Sequence, residues 1–558
     1  MRCYPAVPPS RDIAGSSGES NCAVLAPKTD KVRPMTTPSR RSATWLLLAG
    51  YGLSLAVAWI LASPVGASPD EPAHIWYAWG TVTGQTLAGE HLVTLPGQEV
   101  TRVRLPQKLL QHTDPKCYLQ NPATPTRQCL PIPADNGQLV TRLPYMSRYP
   151  PLFYGVEGAV MRAGVAVDLS GPRVLYGARL ASAVMTWLTA AFGVFLLARR
   201  FPARVVLLAT LLGLPAVAWF LASSVNPNGL EIAAAFLLAA GVLSMRVDFA
   251  LGVRSKTVVL AVPLGTLLLA WTRPLSWVWA SLILALLLVP TGQRDGESWR
   301  RRLPLRRLGA TATAATVLTL ASSLVWFGYS LQIRSMAQAS VNPTAWAVLN
   351  PVERVILLLL GSGSIISEQI GNFGWLDTPL PTVALLAWVL IAGVAAAAWS
   401  VGRNTLVPRW SLGAVLGLGF LAALINEYVE GWGWQGRYLL PVTAAACVFA
   451  VPGIMNGLER WTASLRMVSW MLVVLMAVNA LSVVWFLFRN VYGVMDSARR
   501  HLPPAPLPVG TPSWTPPLGQ GVVVALATLA LACGVAAVWT LRPGEEAATE
   551  RDERRGST

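Results

Sequence analysis

The chain carries two adjacent carboxylates, Asp70 and Glu71, followed by Pro72, Ala73 and His74, just beyond its first long apolar segment. A carboxylate within hydrogen-bond reach of a hydroxyl can take its proton as a general base, and either acid suits that role. His74 falls one helical turn after both acids, where it can tune them by hydrogen bonding or add a ligand to a metal site. Cationic groups suited to an anionic substrate stand in other segments. Arg437 lies in Gln435-Gly436-Arg437-Tyr438, Arg148 precedes Tyr149-Pro150-Pro151-Leu152, and Arg273 lies in Thr272-Arg273-Pro274. A planar guanidinium grips phosphate in bidentate fashion, so these arginines are candidate phosphate-binding residues. Tyr149, Gln435, Tyr438, Glu231 and Asp377 complete the candidate substrate site. Glu231 closes Asn226-Pro227-Asn228-Gly229-Leu230-Glu231, and Asp377 lies in Gly374-Trp375-Leu376-Asp377-Thr378-Pro379.

Each motif also has an architectural reading. Asp70 can cap a helix that holds Glu71 and Pro72 in its first turn and runs to about Leu87. Asn228 to Glu231 reads as a capping box opening a helix. Tyr149-Pro150-Pro151 can start a surface helix, Arg273-Pro274 can mark a turn between spans, and Arg437 can be a snorkelling anchor. Asp377 can cap a helix or help close the pocket. Convergence favours chemistry: the six motifs come from five inter-helix connections, and the threading below puts all of them on one side.

The elements that must position these residues are membrane helices. Apolar residues make up 53% of the 558 and charged ones 13%, with a mean hydropathy of +0.49. A soluble chain cannot hide that much apolar surface, and repeated apolar stretches of about 20 residues identify an all-α polytopic membrane protein. About twelve spans are expected, at 43–62, 174–198, 203–223, 229–246, 257–272, 275–290, 308–330, 380–400, 411–427, 438–455, 467–488 and 520–541. The net charge of +17 does not indicate nucleic acid, because the arginines fall in short loops between apolar stretches. The positive-inside rule places those loops, and both termini, in the cytoplasm. Heavy use of Arg and Ala points to a GC-rich bacterial genome, and the expected location is the bacterial plasma membrane.

Residues 1–42 read as a disordered basic cytoplasmic tail, with Met35 an alternative start. The first transmembrane helix, 43–62, is followed by a large extracytoplasmic loop with amphipathic helices at 63–172, a transmembrane bundle at 173–541 and a cytoplasmic tail at 542–558. Pro351 to Gly361 reads as an interfacial or re-entrant helix. Most of the 23 tryptophans suit an interfacial belt, while Trp76, Trp79, Trp432 and Trp434 stand near the acidic motif or Arg437 and can stack on sugar faces. No two cysteines have zinc-ligand spacing. Cys117 and Cys129 share the large loop, where an oxidising exterior favours a disulfide between them, and Cys447 and Cys533 pack within apolar helices.

The motifs Asp70–His74, Asn226–Glu231, Gly374–Pro379 and Gln435–Pro441 together resemble a family of actinobacterial-type predicted multi-spanning membrane proteins of unknown function, grouped with the GT-C glycosyltransferases. The resemblance spans about 43–500. It implies a GT-C-like architecture, a polyprenyl-phosphate sugar donor, and transfer to a cell-envelope glycan or lipid acceptor on the outer face. Asp70 matches the position of the GT-C acid, with Glu71 the competing assignment. The implied reaction is an inverting displacement, in which Arg437, with Arg148 or Arg273, meets the charge of the leaving phosphate. The residues suit a divalent cation bridging Asp70 and phosphate without requiring one. The rival functions are a transporter or flippase of lipid-linked saccharides and a glycan polymerase or ligase. Transporters place polar groups near the bilayer midplane in broken helices, whereas the mid-helix stretches here are plain apolar sequence.

Overall fold

A chain that is mostly apolar between its turns can satisfy its backbone in lipid only within helices or a closed barrel, and this one forms helices. The structure, a computed structural model, describes residues 38–86, 92–95, 98–110, 137–290, 303–331, 350–360, 362–404, 406–430, 435–461, 465–494, 506, 508, 512 and 514–541. The first helix, α1 (Pro38–Ala62), leads through a short loop to α2 (Glu71–Val82). Two antiparallel hairpins follow, β1 (Leu92–Leu95) with β2 (Gln98–Thr101) and β3 (Val103–Pro106) with β4 (Leu139–Arg142). Next come α3 (Pro151–Ala166), α4 (Gly171–Ala198), α5 (Ala203–Gly213), α6 (Ala216–Ala222), α7 (Pro227–Ala250), α8 (Lys256–Ala270), α9 (Ser276–Ala285) and α10 (Ala310–Ser330). Helices α11 (Pro351–Leu360) and α12 (Ser362–Gly371) precede a small hairpin of β5 (Asn372–Phe373) and β6 (Thr378–Pro379). The chain ends in α13 (Thr382–Val401), α14 (Arg409–Glu430), α15 (Leu440–Arg460), α16 (Leu465–Tyr492) and α17 (Gln520–Thr540).

Every apolar segment expected from the sequence coincides with helix. Among the described residues eight helices are long and apolar enough to cross a membrane, and the pair α5 and α6 makes a ninth if counted as one span. Three further expected segments are shorter apolar helices, Lys256–Ala270, Ser276–Leu288 and Arg409–Ala422. The segment expected at 203–223 is not one continuous helix. It bends by 70° between α5 and α6, where Pro215 offers no N–H and pushes Leu214 out of helical geometry, to φ −120° and ψ 70°. Helix α2 stops at Val82 and does not reach Leu87.

Helix α7 is central. Of its most apolar stretch 94% is buried, against 11% for α10, and α7 packs on α4, α8 and α15. Helix α15 in turn packs on α5 and α13, and α16 packs on α17. The aromatic rings of Trp59, Phe220, Phe373 and Phe486 meet at centroid distances of 5.0–6.0 Å, tying α1, α6, β5 and α16 together. A separate apolar cluster joins α2, α3 and the first part of α4 through Tyr77, Phe153, Tyr154, Met161 and Leu175. Contacts group Ser42–Arg542 as one compact unit; the other unit, Met1–Arg41 with Pro543–Thr558, lies almost wholly outside the described residues.

Candidate active site

The loop between α1 and α2 carries Asp70 and leads into Glu71, the first residue of α2. Its carbonyls are gripped from several elements. Asn490 on α16 donates to the carbonyl of Ala62, Trp375 in the β5–β6 turn to that of Gly66, and Asn226 at the start of α7 to that of Pro69, at 3.2, 3.2 and 2.9 Å. Ser68 donates to Ser224 at 3.0 Å. Asn226 and Trp375, each from a motif of the sequence, thus serve this frame.

Arg179, on α4, makes the strongest grip. Its guanidinium donates to the carbonyls of Ile60, Ser63 and Pro64 at 3.2, 2.8 and 2.9 Å. Its Nε and Nη2 also form a bidentate pair with Glu71 at 2.7 Å each, and both side chains are fully buried. The remaining lone pairs of Glu71 accept from the backbone N–H groups of Gly66 at 2.7 Å and Val225 at 3.1 Å. Such saturation leaves both oxygens of Glu71 buried and fully engaged with Arg179, Gly66 and Val225.

Asp70 is different. It occupies the N-cap position of α2, yet its backbone is left-handed, at φ 63° and ψ −2°, and its side chain makes no capping bond. Aspartate tolerates this conformation at a cost of about 1 kcal/mol. The carboxylate turns away from α2 and accepts from the Tyr145 hydroxyl at 2.6 Å and from Arg437 Nη2 at 2.7 Å. Asp70 is 24% exposed, while Arg437 is 3% exposed. Burial opposes ionisation of Asp70, but the Arg437 charge, His74 and the Tyr145 hydrogen bond together outweigh it and hold the carboxyl below its usual range. Tyr145, pushed well up by burial and by Asp70, stays a neutral donor.

Arg437 reaches Asp70 because Gly436 lets the turn Gly436–Leu439 press against α12. A Cβ on Gly436 would strike the Ile365 carbonyl and lie 2.8 Å from Glu368 Cβ. Glu368 Oε2 accepts from the Gly436 N–H at 2.7 Å. The Tyr438 ring sits between two cations, with the Arg437 guanidinium 5.2 Å from its centroid and that of Arg273 at 4.5 Å. Arg273 is steered by Glu231, which accepts from it at 3.0 Å and from the Ser276 hydroxyl at 2.6 Å. Arg437 Nε and Nη1 and Arg273 Nε are buried without a hydrogen-bond partner among the described residues. Unused guanidinium donors of two arginines thus lie around one tyrosine ring, next to a carboxylate.

His74 lines the same site from α2. Its Nδ1 and the Tyr154 hydroxyl are 2.8 Å apart, and the rings of Tyr149 and Tyr154 lie 5.7 and 5.8 Å from the imidazole. Burial, with the Arg437 and Arg273 charges, overcomes the pull of Asp70 and pushes His74 down to about 3, so the ring is neutral at pH 7. Among the described residues no three His, Cys, Asp or Glu side chains converge as a metal-ligand set.

Asp70, Arg437, Tyr438, Arg273, Glu231, His74 and Tyr149 therefore come together. Gln435 adjoins them, with its side-chain oxygen buried and unpartnered among the described residues. Arg148 is half-buried, and its carbonyl accepts from Trp326 Nε1 at 3.2 Å. Asp377 neither caps a helix nor meets this cluster directly; it accepts from Arg489 at 2.8 Å and from Thr378 at 3.0 Å. The capping box expected at Asn228–Glu231 is displaced. Asn226 is the cap, its side chain accepting from the Asn228 N–H at 3.0 Å. Pro227, which has no N–H to lose, takes the first helical position, and Glu231 is left for Arg273. Cys117, Cys129, Trp432 and Trp434 lie outside the described residues. Sequence reading missed Arg179, Tyr145, Tyr154 and Glu368. Arg179 alone carried a signal, as a charge inside an apolar helix beyond its first turn.

Residues 53–446 match the family described as "Predicted membrane protein (DUF2142)". The chain belongs to this family. The match lies within the span of about 43–500 over which the motifs resemble it. No curated protein matches the chain. Among solved structures the chain is similar to ArnT from Cupriavidus metallidurans in the apo state, at 14% identity and a TM-score of 0.38, covering 91% of this chain and 78% of that one. It is also similar to ArnT from Cupriavidus metallidurans bound to undecaprenyl phosphate, at 14% identity and a TM-score of 0.40, covering 90% and 77%. A likeness this distant says nothing about the site.

Proposed function

We propose that this protein is a membrane glycosyltransferase that moves a sugar from a polyprenyl-phosphate donor to a cell-envelope acceptor, on the membrane face that carries Asp70. One observation carries the reading. A partly exposed carboxylate touches Arg437, whose other donors are buried and unpartnered among the described residues, and Arg273 stands across the Tyr438 ring. This is a proton acceptor beside a clamp for an anion. Family membership alone names no chemistry.

In the proposed reaction the acceptor hydroxyl gives its proton to Asp70 and its oxygen attacks the anomeric carbon. The bond from that carbon to the phosphate oxygen breaks on the opposite face, and polyprenyl phosphate leaves with the electron pair. Arg437 and Arg273 meet the phosphate charge as it develops, and the configuration inverts. Asp70 paired to Arg437 is a weak base. A donor phosphate that shares Arg437 draws off part of that charge and makes Asp70 more basic when the acceptor arrives. Neutral His74 adds no competing positive charge.

An open apolar surface supports a site for the donor's chain. An apolar groove of about 740 Å³ between α3 and α8 is lined by Pro151, Leu152, Val156, Val160, Leu267 and Trp271. Its lining residues Pro151 and Trp271 stand two positions along the chain from Tyr149 and Arg273, which favours an isoprenoid chain lying there with its phosphate toward Arg273.

The test is sugar transfer by the purified protein in lipid, supplied with a panel of polyprenyl-phosphate sugars and a cell-envelope glycan extract. Asp70→Asn should lower transfer by about 10²–10⁴-fold while the protein stays folded. Normal turnover by Asp70→Asn would remove the central claim. Donor crossing the bilayer without transfer, in the wild type, would replace the enzyme with a flippase.

A further inference from the structure

The far end of α7 carries a second concentration of charge, independent of the sugar-transfer reading. Helix α7 starts beside Asp70 and runs for 24 residues, about 36 Å at 1.5 Å per residue. At its distal end a cavity of about 360 Å³ is lined by Phe249, Arg254, Arg306 and Arg307. Arg254 lies in the turn between α7 and α8, and Arg306 and Arg307 end the 3-10 turn Pro304–Arg307 ahead of α10. The Arg307 guanidinium lies 5.8 Å from the centroid of the Phe249 ring, and that of Arg254 packs into the space a side chain at Gly309 would need.

Three like charges crowd this concavity, and among the described residues no carboxylate forms an ion pair with any of them. Their mutual repulsion falls when an anion sits between them. The neighbouring surface says which kind. Leu251 and Val253, in the same turn as Arg254, are 65% and 49% exposed, at the end of a helix long and apolar enough to cross a membrane. Apolar side chains projecting next to a basic cavity fit the boundary between acyl chains and headgroups.

We propose that this cavity binds the phosphodiester headgroup of an anionic membrane lipid, in the leaflet opposite Asp70. Arg254, Arg306 and Arg307 hold the phosphate, while Leu251 and Val253 lie against the acyl chains.

The test uses the delipidated full-length protein in a neutral detergent, titrated with phosphatidylglycerol, phosphatidylcholine or inorganic phosphate and read by native mass spectrometry. Phosphatidylglycerol should bind at least 10-fold more tightly than phosphatidylcholine. The triple variant Arg254→Gln, Arg306→Gln, Arg307→Gln should weaken it about 100-fold, since a basic residue near the membrane surface contributes about 1 kcal/mol. Should that variant fail to fold, Arg306→Gln, at an exposed position, should weaken binding about 5-fold. Equal binding of the two lipids, or undiminished phosphatidylglycerol binding by the folded variants, would overturn the proposal. Inorganic phosphate binding as tightly as phosphatidylglycerol would overturn it too, making this a site for a soluble anion.

Discussion

Breaking the Glu71–Arg179 pair tests which of two adjacent acids is the base. Arg179→Met removes five N–H···O bonds at once, two to Glu71 and three to the carbonyls of Ile60, Ser63 and Pro64. Removing one partner of a buried pair costs about 3–5 kcal/mol, and each stranded buried carbonyl adds about 1 kcal/mol or more. The expected loss for Arg179→Met is therefore at least about 6 kcal/mol. Glu71→Gln keeps the shape and an accepting oxygen for Gly66 or Val225 but leaves Arg179 buried without its counter-charge, an expected loss of about 3 kcal/mol. Combining Glu71→Leu with Arg179→Leu removes both charges, so the double variant should be more stable than the sum of Glu71→Leu alone and Arg179→Leu alone predicts, by about 3 kcal/mol. The assay is reversible unfolding in mixed micelles, run beside donor binding and transfer. Glu71→Gln should lose stability while its folded fraction keeps transfer, the reverse of Asp70→Asn. A Glu71→Gln protein of wild-type stability that transfers no sugar would refute the assignment, and so would additive single and double variants.

Arg437→Lys keeps the charge but loses the Nε and Nη1 donors, so donor KM should rise about 10–100-fold, as loss of a hydrogen bond to a charged group implies; kinetics over a donor titration check this. His74 gives a pH dependence of known sign: its folded value of about 3 lies below the unfolded 6.5, so the unfolded chain binds the extra proton between them. Its contribution to stability is full above about pH 6.5 and falls by up to about 1.4 kcal/mol per pH unit as pH drops toward 3. Unfolding midpoints from pH 4.5 to 7.5 should show this slope in the wild type and a shallower one in His74→Gln. Gly436→Ala drives a Cβ into the Ile365 carbonyl and must shift the turn that presents Arg437. Transfer should fall about 100-fold, the scale of a 1 Å misplacement, with a smaller fall in unfolding midpoint.

Much of the fold was legible because it depends on apolar run length, which is local. The twelve expected segments fall on helices for that reason, although among the described residues only eight, or nine with the bent pair, are long and apolar enough to cross a membrane. The bend in the expected 203–223 segment was also written locally, in Pro215. The displaced cap of α7 was equally readable: Pro227 fits the first helical position, which makes the residue before it the cap and frees Glu231 for other work.

The division of labour between Asp70 and Glu71 was not local. Both precede Pro72 in identical sequence surroundings, and their fates separate only through partners at 108 residues for Glu71 and 367 for Asp70. Backbone geometry then makes the distinction physical. In extended geometry Asp70 would have a cap's access to the free N–H groups of α2, and both acids would serve structure. The left-handed turn costs about 1 kcal/mol and sends one carboxylate out to Tyr145 and Arg437, while Glu71 and Arg179 hold the loop that makes the turn. On the proposed assignment, the buried pair supplies no reacting group and fixes the position of the partly exposed carboxylate.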